Sequence, residues 1–116
     1  MKTKILVIED EEKIARFIEL ELKHEGYEVS KAFDGREGLE MAQSGSFDLI
    51  LLDIMLPLLN GLEVLRRIRK MSEVPVIMLT AKIESGDKIM GLTLGADDYI
   101  TKPFNSLEVV ARVKTQ

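Results

Sequence analysis

The chain has 116 residues, of which 46% are hydrophobic and 31% charged, with a net charge of −4 at pH 7. That length holds one domain with a self-sufficient core and is too short for two. The acidic balance argues against non-specific nucleic-acid binding by this chain, and the lack of cysteine excludes disulfides, thiolate catalysis and zinc–thiolate sites. The apolar run after Lys4 is only four residues, too short for a signal peptide or a membrane span, so the expected location is cytoplasmic, with no membrane partner.

Residues 4–8 read as a first strand. Residues 11–25 read as a helix with Ile14, Phe17, Ile18 and Leu22 on one face, closing at Gly26. A second strand at 27–32 and a short helix at 36–44, ending at Gly45, follow. The third strand is expected at 47–52. Asn60-Gly-Leu-Glu63 has capping-box spacing and opens a helix with Leu62, Leu65 and Ile68 inward. A fourth strand falls at 74–79 and a fourth helix at 84–94, where Gly86, Gly91 and the nearby Gly95 either soften the helix or allow close packing. A short fifth strand at 98–101 precedes Asn105-Ser-Leu-Glu108, a second capping-box pattern. It opens a last helix that buries Val109, Val110 and Val113.

The runs at 5–8, 49–52 and 76–79 have no helical period; they read as strands buried on both faces. Strands alternating with helices imply α/β architecture: a doubly wound five-stranded parallel sheet of order 2-1-3-4-5 with five helices, a flavodoxin-like three-layer sandwich. Ligands in such folds sit beyond the carboxyl ends of the strands. Glu9 and Asp10, Asp53, Thr80 and Lys102 each follow a strand and should therefore meet at one edge.

Three carboxylates brought together repel, and a hard divalent cation such as Mg²⁺ removes that cost. Glu9 to Glu12 are also consistent with solvated acids at a helix amino terminus, but Asp53 follows four apolar residues with no helix beside it. Its carboxylate suits a general base, a metal ligand or a nucleophile that attacks phosphorus to form an acyl phosphate. Lys102 could then neutralise a phosphoryl oxygen and Thr80 could hydrogen-bond another. The Lys102–Pro103 bond is expected to be cis, because the chain must turn Lys102 to the sheet edge and start a helix at once. His24, the single histidine, is given no role, and the basic run Arg66-Arg67-x-Arg69-Lys70 reads as a solvated helix face.

The ordered set of Glu9-Asp10, Asp53, Met55-Leu-Pro57, Thr80-Ala81 and Gly95-Ala-Asp-Asp-Tyr-Ile-Thr-Lys-Pro-Phe104 resembles the receiver (CheY-like) domain of two-component response regulators. The resemblance spans residues 1–116, and the decapeptide from Gly95 is similar to the OmpR/PhoB branch. It implies a phosphorylation-activated switch, not an enzyme in its own right, with Asp53 as phosphoacceptor for a sensor histidine kinase. It implies Mg²⁺ held by Asp10, Glu9, Asp53 and the backbone carbonyl of Met55, with Lys102 on the phosphoryl group. Thr80 and Tyr99 would be the switch pair: Thr80 moves towards the phosphoryl group and Tyr99 rotates into the space it leaves. Small Ala81 would leave room for the donor.

The branch also implies a homodimer on phosphorylation, through the fourth helix, fifth strand and fifth helix. Lys88, Asp97, Asp98, Glu108 and Arg112 would line that face, with Lys88–Glu108 and Asp98–Arg112 pairing across subunits. DNA would be reached only through a winged-helix domain following residue 116, where the last helix has run only about three turns. Leu58-Leu59, Thr93 and Thr115 depart from the branch pattern; the first puts apolar surface above the site and the others thin the dimer contacts. The main rival is a Mg²⁺-dependent aspartyl-nucleophile phosphatase, which needs an acid two residues after the nucleophile, where this chain has Met55. A flavodoxin-type carrier would need Gly, Ser and Thr after the first strand, where Glu9-Asp-Glu-Glu12 stands.

Overall fold

In the computed structural model, residues 2–80 and 95–116 are described. Strands β1 (Lys4–Ile8), β2 (Glu28–Ala32), β3 (Leu49–Asp53), β4 (Val76–Thr80) and β5 (Asp98–Thr101) form one parallel sheet of order β2-β1-β3-β4-β5. Helices α1 (Glu12–His24), α2 (Gly35–Ser44), α3 (Gly61–Arg69) and a C-terminal helix (Ser106–Lys114) cover it. The architecture is the one expected from the strand–helix alternation. The helix expected at 84–94, with Ala81, Lys82, Gly86, Lys88, Gly91 and Thr93, lies outside the described residues.

Side chains alternate across the sheet and build two apolar layers. Ile5, Val7, Leu49, Leu51, Ile77, Leu79 and Ile100 meet Ile18 and Leu22 of α1 and Val109 and Val113 of the C-terminal helix. Leu6, Ile8, Ile50, Leu52, Val76, Met78 and Tyr99 meet Leu39 of α2 and Val64, Leu65 and Ile68 of α3. Both faces of every central strand are thus dry, which is why these strands carry unbroken apolar runs.

The structure corrects several local expectations. Strands β3 and β4 start two residues late and end one late, so Asp53 and Thr80 are terminal strand residues with fixed backbone. Helix α2 starts at Gly35 behind a cap the sequence reading missed: Asp34 accepts from the Glu37 amide at 2.7 Å, and Glu37 accepts from the Phe33 amide at 3.0 Å. At α3, Asn60 accepts from the Leu62 amide, but Glu63 turns onto Arg66 and Arg67 and does not close a capping box. Asn105 does cap its helix, accepting from the Glu108 amide at 2.9 Å.

On α1, Phe17 is partly exposed against Phe104, with ring centres 6.3 Å apart, whereas Glu19 is buried. Lys23 at 3.1 Å and Lys31 at 3.0 Å compensate that charge and hold the Glu19 carboxyl below its ordinary range, the Lys31 hydrogen bond being the larger cause. Val110 is only half-buried, because its helix sets Val109 and Val113 against the sheet. The Lys102–Pro103 peptide is cis, as expected.

Candidate functional site

Glu9 leaves β1 with its amide still donating to Ala32 O at 3.0 Å, which drives its side chain under the sheet edge, where it is fully buried. Its Oε2 accepts from the Glu11 amide at 3.0 Å. Its Oε1 lies 2.6 Å from Lys102 Nζ in an ion pair and, among the described residues, receives no well-aligned hydrogen bond. Asp53 closes β3 on the neighbouring strand, buried, with Oδ2 3.6 Å from the same Nζ and a hydrogen bond from the Met55 amide. Asp10 is exposed at the rim. Oxygens of Glu9, Asp10 and Asp53 all lie within 4.8 Å of one another.

Two backbone features hold this cluster. The Lys102 amide donates to Thr80 O at 2.6 Å, which locks the residue after β5 to the end of β4. Gly61 donates to Ile54 O at 2.8 Å, and a Cβ there would stand 2.0 Å from Asp53 O. Only glycine lets α3 begin directly against the backbone of Asp53, and the sequence reading missed that role. The loop between them carries Met55, 74% exposed, and Leu58, 71% exposed at φ +69°. Leu58 therefore supplies the expected apolar surface, while Leu59 packs against the core.

Burial, with the Glu9 charge next and that of Asp10 adding, pushes the Asp53 carboxyl up to about 7, against the pull of Lys102 and the Met55 amide. Burial alone would lower the Lys102 ammonium, but the close ion pair with Glu9 and the charges of Asp53 and Glu11 hold it above its usual value. Among the described residues the site is therefore an acidic pocket in which the Lys102 ammonium is shared between two buried acids. A buried, under-coordinated Glu9 oxygen beside two further carboxylates suits a hard, oxygen-seeking divalent cation.

Thr80 is buried at the end of β4, on the strand beside Asp53, and Tyr99, 7% exposed, is buried on β5 in the layer under α3. The residues expected on a dimer face divide. Asp98 and Arg112 pair with each other at 3.0 Å within the chain, and Glu108 stands on the same helix as Arg112. Asp97, though exposed, is tied to its own chain as well, accepting from the Val76 amide at 2.8 Å and pairing with Arg69 at 2.9 Å.

A five-stranded parallel sheet with an acid pair, an aspartate, a hydroxyl and a lysine at its carboxyl edge defines a class. The chain matches the response regulator receiver domain over residues 5–114 and belongs to that family: it is the receiver domain of a two-component response regulator. It is 56% identical over 112 residues to response regulator ArlR of Staphylococcus saprophyticus, covering 97% of this chain and 51% of that one. A CheY-like receiver domain protein of Methanospirillum hungatei superposes with a TM-score of 0.96 at 33% identity, covering 99% of this chain and 93% of the other. DrrB of Thermotoga maritima, an OmpR/PhoB homologue, gives 0.90 at 35% identity, over 98% of this chain and 52% of that one. The chain spans about half the length of the curated relatives it matches.

Proposed function

We propose that Asp53 accepts a phosphoryl group from a sensor histidine kinase and that the acyl phosphate switches the face around β5. The observation that carries this is the placement of Asp53: buried, raised in basicity, and 3.6 Å from the ammonium of Lys102. An Asp53 oxygen attacks phosphorus, the bond from phosphorus to the kinase's imidazole nitrogen breaks, and its electron pair stays on that nitrogen. Lys102 offers the phosphoryl oxygens a fixed positive charge, and Thr80 a hydroxyl donor. Glu9, Asp10, Asp53 and the Met55 carbonyl would hold Mg²⁺, which screens the carboxylates and the transferring oxygens when bound. An apolar cleft of about 490 Å³, lined by Ile14, Phe17, Pro103 and Phe104 with Glu11 and Lys102 at its edge, offers the kinase a surface beside Asp53.

Incubation with a small phosphodonor and Mg²⁺ should add one phosphoryl group by intact mass, and none to Asp53→Asn. Continuous phosphate release without an adduct would support the phosphatase instead, which Met55 argues against because a thioether donates no proton. Among the described residues no helix is long and apolar enough to cross a membrane. A cytoplasmic regulator of transcription, reaching DNA through a further domain, completes the reading by analogy with the relatives' greater length.

Three consequences can be measured. Asp10→Asn should weaken Mg²⁺ binding and slow phosphorylation roughly tenfold or more, as expected for loss of a charged ligand; wild-type uptake in metal-chelated buffer by this variant would sink the assignment. Hydrolysis needs a water in line with the phosphorus–Asp53 bond, and Met55 stands two residues from Asp53 with a side chain that cannot orient one. Met55→Asn should therefore speed dephosphorylation by about tenfold, some 1.4 kcal/mol of barrier; unchanged or slower decay refutes it.

Dimerisation on phosphorylation should be weak and salt-sensitive. The Asp98–Arg112 pair must open within one chain before it can form between two, and an exposed pair contributes only ~0–1 kcal/mol. Sedimentation with a phosphoryl mimic should show association, reduced in Arg112→Ala; equal association by that variant places the interface elsewhere.

A further inference from the structure

The basic run at the end of α3 is only partly a solvated face. Arg66 and Arg67 are held on the surface by Glu63, whose carboxyl they depress to about 2. Arg69 turns inward and its guanidinium ties three segments together. Its Nε donates to Gly95 O at 2.9 Å, Nη1 donates to Val74 O at 2.6 Å, and Nη2 pairs with Asp97 Oδ2 at 2.9 Å. Asp97 in turn accepts from the Val76 amide and donates from its own amide to Val76 O at 2.9 Å. The end of α3 is thereby fastened to the starts of both β4 and β5. Gly95, at φ +102°, leaves just enough room, since a Cβ there would lie 3.0 Å from Arg69 Nε.

We infer that Arg69 is a positioning residue through which α3 carries a change at Asp53 to the start of β5, by a route separate from Thr80 and Tyr99. The other end of α3 rests on the Asp53 and Ile54 backbone through Gly61. Between the ends, Val64, Leu65 and Ile68 are buried in one layer with Val76, Met78 and Tyr99. Nine helical residues span about 13 Å, and a helix packed this closely moves as a body, not by bending. New charge on Asp53 acts on the backbone against which α3 starts, and the guanidinium delivers the resulting shift to Gly95 and Asp97. Strand β5 then carries it to Asp98 and to Lys102. A side chain making one contact could not do this; the planar fork of arginine makes all three at once.

The inference rests on phosphorylation of Asp53, so the test reads phosphate and response separately. Amide exchange is followed at residues 95–101 before and after phosphodonor treatment, with intact mass reporting phosphate, in wild type, Arg69→Gln, Arg69→Lys and Asp97→Asn. Asp97→Asn keeps an acceptor for the Val76 amide while dropping the charge that holds Arg69, which guards against a poorly folded Arg69→Gln. Wild type should show a severalfold phosphorylation-dependent change at 97–101. Arg69→Gln and Asp97→Asn should take up phosphate normally yet lose most of that change, with Arg69→Lys intermediate, while the change around Asp53 persists. A merely structural role would raise exchange equally in both states and leave the difference intact. A wild-type difference in fully phosphorylated Arg69→Gln or Asp97→Asn overturns the inference, as does its absence in phosphorylated wild type. If wild type gains no phosphate by mass, the functional reading itself fails and this inference with it.

Discussion

Lys102→Met should destabilise the protein by about 3 kcal/mol in metal-chelated buffer, the lower end of the ~3–5 kcal/mol seen when one partner of a buried ion pair is removed. Glu9 is fully buried with Lys102 at 2.6 Å, so the variant strands a buried carboxylate beside two further acids. The cost stays at the low end because Asp53 can take up a proton and Asp10 faces water. A divalent cation at the same carboxylates replaces the missing positive charge, and a ligand that binds only the folded state adds RT ln(1 + [L]/Kd) to stability. Millimolar Mg²⁺ should therefore restore most of the loss in Lys102→Met and add less to wild type, where the ammonium competes for Glu9. Urea unfolding with chelator and with Mg²⁺, on both proteins, measures the effect. A wild-type midpoint for the variant in chelator, or no larger Mg²⁺ gain than in wild type, would show that Lys102 is not the pocket's resident counter-charge.

The sheet and its edge could be read from the sequence because buried parallel strands are apolar on both faces and then stop abruptly. Ile5 to Ile8, Leu49 to Leu52 and Val76 to Leu79 are bounded by Glu9, Asp53 and Thr80, and that change of polarity marks both the strand end and the site. Strand ends were misjudged by one residue because the ladder runs past the apolar run: Asp53 still pairs in register with Leu79. The start of α2 was hidden by Gly35, which reads locally as a breaker. It is required because a Cβ there would lie 1.7 Å from Leu59 O, a contact made by a residue 24 positions away.

Arg69 shows the same limit. Nothing in the local pattern separates it from Arg66 and Arg67, since its partners Gly95 and Asp97 arrive only with the folded sheet. The closer approach of Lys102 to Glu9 than to Asp53 likewise depends on where three strand ends lie, not on any spacing.

In metal-free buffer the wild-type protein should lose stability as pH rises from 5 to 8, and Asp53→Asn should not. The folded carboxyl of Asp53 sits near 7 against 3.8 for the free group, so between those values the folded state holds a proton that the unfolded chain has released. Stability linked to this group is thus complete below about pH 4, declines through the window, and is fully lost above about pH 7. Groups held low by partners act in the opposite sense and at lower pH: Glu63 loses its contribution as pH falls towards about 2, so it leaves the window clear. A shift of this size corresponds to several kcal/mol, but Asp53 shares its charge balance with Glu9 and Lys102, and about 2 kcal/mol between pH 5 and 8 is expected. For a chain of this length that is roughly 10 °C in Tm. Asp53→Asn keeps the shape, removes the charge that burial penalises, and should exceed wild type at pH 8 by a similar amount. Mg²⁺ should flatten the wild-type profile, because it binds the ionised carboxylates, and should do little for the variant. Thermal unfolding at pH 5, 6, 7 and 8, with chelator and with Mg²⁺, reads all three effects. Parallel profiles for the two proteins would mean that Asp53 is ionised at no cost. The strain that makes its oxygen basic enough to attack phosphorus would then have to come from the arriving donor instead of from Glu9 and the dry sheet edge.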